Sequence, residues 1–167
     1  MYLALFQALI GNTREAEKLS KRINEEAPRD TLGQHYALPS IRAAIRLSEH
    51  DPAGAIEVLR PAEKYELAMT YSFNSIYPAY LRGLAFLQIG DGRRAAAEFQ
   101  KLIDHRAIVG RDALGALAHL QMGRAQAITG DRVGARKSYQ DFLTIWKDAD
   151  ANLPALIQAK AEYAALR

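Results

Sequence analysis

The chain has no cysteine among its 167 residues, which excludes a disulfide framework and thiolate chemistry and leaves the redox compartment open. Its four histidines are scattered and offer little for a metal. No apolar run is long enough to span a bilayer. The stretch from Met1 to Ile10 is about half the length required, and it lacks the basic flank and small-residue cleavage site of a signal peptide. An excess of one charge sign is missing as well. The 22 basic and 19 acidic residues are mixed along the chain and leave a formal net charge of +3, too little to indicate nucleic acid or an anionic membrane as partner. Phosphate-cradling loops are absent, since Gly90-Asp91-Gly92 reads as a turn between two helices rather than between a strand and a helix.

What the chain does have is periodicity. Tyr80 to Phe99 reads as two amphipathic helices folded back across the turn Gly90-Asp91. Glycine supplies the left-handed backbone that closes the first helix, and Asp91 accepts from the free N–H groups that open the second. The small residue before this turn recurs as Ala4, Ala43, Gly83 and Gly123, and the one after it as Ala16, Ala55, Ala95 and Ala135. Both series step by 39, 40 and 40 residues. The expected fold is all-α: about four antiparallel hairpins, at about 1–27, 33–64, 75–105 and 112–147, with a capping helix at 152–166, all in one repeat domain spanning 1–167. With hydrophobic residues at 49% and charged residues at 25%, such an array buries its core as a strip between neighbours.

Punctuation along the chain fits this division. Pro28 stops the first hairpin, and Thr31 or Gly33 leads into a helix to about Glu49, with Pro39 expected in its first turn. Asp51-Pro52 opens the helix that runs to about Lys64. Tyr65 to Asn74, with Tyr71 and Phe73, is an irregular connector. Residues Arg106 to Asp112 read as a loop broken at Gly110, with Asp112 capping the next helix. Asp150 or Asn152 is expected to cap the last helix, with Pro154 in its first turn. Aligned on the repeat, Met1 to Ile10 is the second half of a first helix, so a chain cut from a longer protein is expected.

Gly83, Phe86, Ala95 and Phe99 resemble the tetratricopeptide pattern, in which small residues sit where paired helices cross and aromatics fill the holes. Gly123, Ala135 and Tyr139 follow it, whereas Gln126 and Arg46 stand where an aromatic is usual. The period exceeds the usual 34 residues by about six. Over roughly the last 90 residues, Asp104-His105-Arg106, Gly115 to Leu120, Gly130-Asp131, Tyr139 to Leu143, Trp146 to Asp150 and Ala159 to Tyr163 resemble the C-terminal repeat region of bacterial eukaryotic-like serine/threonine protein kinases. Similar tails follow winged-helix domains in bacterial regulators. The resemblance implies an upstream catalytic or regulatory domain, and leaves this domain on either side of the membrane of an anchored parent. No residue here matches a kinase motif.

In the tetratricopeptide register Ser40, Ala44, Leu47, Tyr77, Tyr80, Leu84, Leu87, Leu120, Arg124 and Ala127 project into a concave groove suited to a helix or an extended peptide of a protein partner. The Lys and Asn set that clamps chaperone tails is missing, since Ser40, Ala44, Tyr80 and Leu84 hold comparable positions. Asp104-His105-Arg106 reads as a helix end, His119 as a packed side chain, Glu25-Glu26 and Asp148/Asp150 as exposed ends, and Arg93, Arg94, Arg132, Arg136 and Lys137 as a solvated face. No catalytic, metal or cofactor residue is expected. Two other functions remain open: self-association of the domain as a homo-oligomer, and a helical enzyme or small-ligand sensor with a pocket at His119, Arg124 and Tyr80.

Overall fold

The computed structural model describes residues 1–68, 76–110 and 112–166, and among them every regular element is helical. The irregular connector with Tyr71 and Phe73 lies largely outside the described residues. The helices α1 (Tyr2–Leu9) and α2 (Thr13–Glu26), α3 (Leu38–Ser48) and α4 (Pro52–Leu59), α5 (Tyr77–Gln88) and α6 (Gly92–Asp104) pack as consecutive pairs. A short α7 (Arg106–Val109) precedes the pair α8 (Leu114–Ile128) and α9 (Arg132–Ile145), and α10 (Pro154–Ala165) packs on α9.

The turns are built as their residues require. Gly11, Gly90 and Gly130 take φ of +83°, +76° and +79°, and Asp91 and Asp131 each accept a hydrogen bond at 2.9 Å, from the N–H of Arg94 and of Gly134 respectively. Asp51 does the same for the N–H of Gly54 at 2.9 Å. Asn12 instead donates its amide to the Oε1 of Gln7 at 2.8 Å.

Four local expectations are corrected. The helical run before α3 opens near residue 31 and widens into a π-helical turn at Gly33–Ala37, so Pro39 lies beyond the first turn. The wider turn gives its ring room. After α4 the chain tightens into a 3-10 segment at Arg60–Tyr65, because Pro61 has no N–H to extend the α-helical ladder. The loop expected at 106–112 contains α7, ended by Gly110 at φ +60°. Neither Asp150 nor Asn152 caps α10; Leu153 holds that position, and Asp150 accepts from the N–H of Asn152 at 2.9 Å.

The first helices lie in a row, α1 against α3, α3 against α5 and α5 against α8, while α2, α4 and α6 each pack on the first helix of the next pair. One apolar cluster runs from α1 to α8, and a second joins α8, α9 and α10. Leu117 packs against both. Where helices of a pair cross, contact is close: a Cβ on Gly83 would lie 2.6 Å from the buried ring of Phe99, and one on Gly123 would lie 2.9 Å from that of Tyr139. Among the described residues no helix is long and apolar enough to cross a membrane.

Candidate functional site

Of the ten expected groove residues, Ser40, Ala44, Leu47, Tyr77, Tyr80 and Leu120 lie in the core. Leu84, Leu87 and Arg124 are half-buried, and Ala127 is exposed. The cause is the close stacking of the first helices. Tyr80 is flanked by the ring of Phe99, at 5.8 Å between centroids, and by Gln121 of α8. Ser40 donates to the carbonyl of Tyr36 at 2.7 Å. Tyr77 packs on Tyr2 and Phe6 of α1 and donates to Asp112 at 3.2 Å.

Arg124 does not face open solvent. Its fork bonds both oxygens of Glu162 on α10, Nε to Oε2 at 2.9 Å and NH2 to Oε1 at 2.8 Å, and Tyr139 donates to the same carboxylate at 2.8 Å. Burial pushes the Glu162 carboxyl upward, but the hydrogen bonds from Arg124 and Tyr139 outweigh it and hold it below the usual range. His119 lines a cleft whose walls include neither Arg124 nor Tyr80.

A second polar cluster carries no sequence signal. Arg82 is buried in α5 and bonds Glu66 at 2.7 and 2.8 Å and Glu98 at 2.8 Å, while Lys101 bonds Glu98 at 2.9 Å. Burial nevertheless raises Glu66 above the ordinary carboxylate range, against the opposing charge of Arg82. The hydrophobic alternation that makes α5 readable treats Arg82 as a surface residue, and its acidic partners stand 16 residues away on either side. The cluster joins the segment after α4 to the pair α5–α6.

Two adjoining cavities of about 340 Å³ each form a cleft between the α6–α7 corner and the α8–α9 pair, sharing Ile103, Arg106, His119 and Ile145. The first is also lined by Trp146 and the second by Asp141. His119 Nδ1 stands 3.8 Å from Asp141, which Lys137 holds at 2.7 Å. Burial pushes the imidazole below its ordinary value; Asp141 opposes this, and the cations Arg106 and Lys137 add to it. His105 turns away and bonds the carbonyl of Lys101 at 2.7 Å, as a helix end does.

Exposed apolar side chains gather on α1 and the residue that ends it. Leu3, Phe6 and Ile10 are 62%, 48% and 74% exposed. The counterparts of Phe6 later in the repeat, Ile45 of α3, Ala85 of α5 and Ala125 of α8, are buried, whereas those of Ile10, namely Glu49, Ile89 and Thr129, are exposed, as is Arg42, the first counterpart of Leu3. There α2, α4 and α6 of the preceding pairs pack on the following first helix.

Arg93, Arg94, Arg132 and Lys137 are exposed, whereas Arg136 is half-buried with its guanidinium 4.7 Å from the Tyr163 ring centre. Glu25 and Glu26 pair with Lys21 and Arg22 one turn earlier. Among the described residues no group of three or more His, Asp or Glu could hold a metal ion. No family model, curated protein or solved structure matches the chain.

Proposed function

We propose that this chain is a tetratricopeptide-like array serving as a protein-interaction module, the non-catalytic part of a bacterial signalling protein of the serine/threonine kinase type. The partner supplies an amphipathic helix or an extended peptide. The observation that carries this reading is the apolar face of α1, because contiguous exposed apolar surface marks a site of association. Each later first helix has a helix of the preceding pair packed on it, and the counterparts of Phe6 are buried there, which is why a helix suits the face. The groove side of α5 and α8, through Leu84, Leu87 and Ala127, extends the accessible surface. Tyr80 and Leu120 contribute by packing beneath it.

The test is retention of partners from lysate of the source organism on the immobilised chain, beside a Leu3→Ser, Ile10→Ser variant and a Leu84→Ser, Leu87→Ser variant. Loss of a retained protein in one folded variant locates the binding face. Equal retention by all three overturns the reading. A second reading, self-association of the domain, is favoured by the same α1 face. It predicts a mass in sedimentation that rises with concentration and returns to the monomer in the Leu3→Ser, Ile10→Ser variant.

A further inference from the structure

We propose that the cleft between the α6–α7 corner and the α8–α9 pair binds a small acid with an apolar body, its carboxylate held by Arg106 and His119 and its body laid on Ile103, Ile145 and Trp146. The site is separate from the α1 face and does not depend on the interaction reading above.

Charge is the first argument. Among the described residues the Arg106 guanidinium has no ion pair or hydrogen bond, whereas Arg82 and Arg124 are each paired with carboxylates. The acids that line the cleft are already engaged. Asp141 is held by Lys137, and Asp112 accepts from Tyr77 and from the N–H of Leu114 at 2.9 Å. An arriving carboxylate therefore meets one uncompensated cation beside a half-buried imidazole able to donate.

Shape and polarity select the rest of the ligand. The volume is at the lower end of that found for small-molecule sites, roughly 300 to 1,000 Å³. Leu102 and Val109, both buried, continue the apolar wall. Trp146 is steadied by Phe142, with 4.9 Å between ring centroids. A phosphate dianion would bring more charge than one arginine balances, would stand near Asp141 and would leave the apolar wall unused. A monoanionic carboxylate on an apolar body uses both halves. Its negative charge favours the protonated imidazole, so binding should raise the pKa of His119 and draw in a proton at neutral pH.

Trp146 is the only tryptophan of the chain, so its emission reports on this cleft alone. The probe is 3-phenylpropionate, titrated beside 3-phenylpropionamide, which has the same body without charge. A saturable change in emission is expected with the acid, with about tenfold weaker binding of the amide and of the acid to an Arg106→Gln variant, as for loss of one charge-assisted bond. The ring resonances of His119 should shift toward a higher pKa when the acid is bound. Arg106 is exposed, so that variant should keep its thermal midpoint. N-acetyl-glycyl-phenylalanine, with a free carboxylate, separates the two sources of such a group: tighter binding than phenylpropionate assigns the site to a peptide terminus, weaker binding to a free acid, and both keep the recognition proposed. Equal response to acid and amide, an unchanged Arg106→Gln variant, or no saturation overturns it.

Discussion

His50 closes the second hairpin with φ +59°, where Gly11, Gly90 and Gly130 close the others. A side chain with a Cβ costs about 1–2 kcal/mol in that left-handed region, and glycine returns part of the gain through its freer unfolded chain. His50→Gly should therefore stabilise the protein by about 0.5–1 kcal/mol, read as a higher urea midpoint with unchanged slope. The opposite holds at Gly83, where the Phe99 ring occupies the space a methyl would need. These small residues are legible in the amino-acid sequence because spacing alone marks them. Arg82 is not, for its burial depends on Glu66 and Glu98, residues that no periodicity connects to it.

At the scale of elements, α10 is held by Leu156 and Ala159 in the second apolar cluster and by the Arg124–Glu162 fork. Arg124→Ala removes the fork and leaves Glu162 and Tyr139 facing each other, at a cost of about 1–2 kcal/mol for this partly exposed pair. Hydrogen exchange should then quicken along 156–165 while α5 and α6 keep their protection. Unchanged exchange in α10 would show that its apolar contacts suffice. Helix pairs and the Gly-Asp turns are readable from sequence because glycine and an N-capping aspartate act locally. The four-residue α7 is not, being shorter than the pattern needed to detect a helical period. Six of the expected groove residues are buried, which the sequence does not reveal for a related reason. Register tells which side of a helix faces its neighbours, whereas the depth at which Tyr77 and Tyr80 sit depends on how tightly α5 meets α1 and α8.

Across the whole molecule, stability should depend on pH through groups held away from their ordinary values. His119 is lowered in the folded chain, so the unfolded chain takes up a proton more readily, and stability declines as pH falls below about 6.5. Denaturant midpoints at pH 7 and pH 5 should converge in His119→Gln relative to the parent. Glu162, also lowered, adds its loss only below about pH 4.5, whereas Glu66, raised, works in the reverse direction as pH climbs past that value.

An array of similar hairpins faces a difficulty that a unique core does not: its units can stack in the wrong order, or exchange between two chains, with little apolar penalty. Arg82 bears on that choice. Its counterparts one repeat before and after are Arg42, which is exposed, and Met122, and the counterpart of Glu66 one repeat later is Arg106. A third hairpin placed one repeat later would keep its internal Arg82–Glu98 bond but meet Arg106 in place of Glu66. The Arg82–Glu66 contact, unlike the apolar contacts of the array, is thus available only to a third hairpin that follows the segment carrying Glu66.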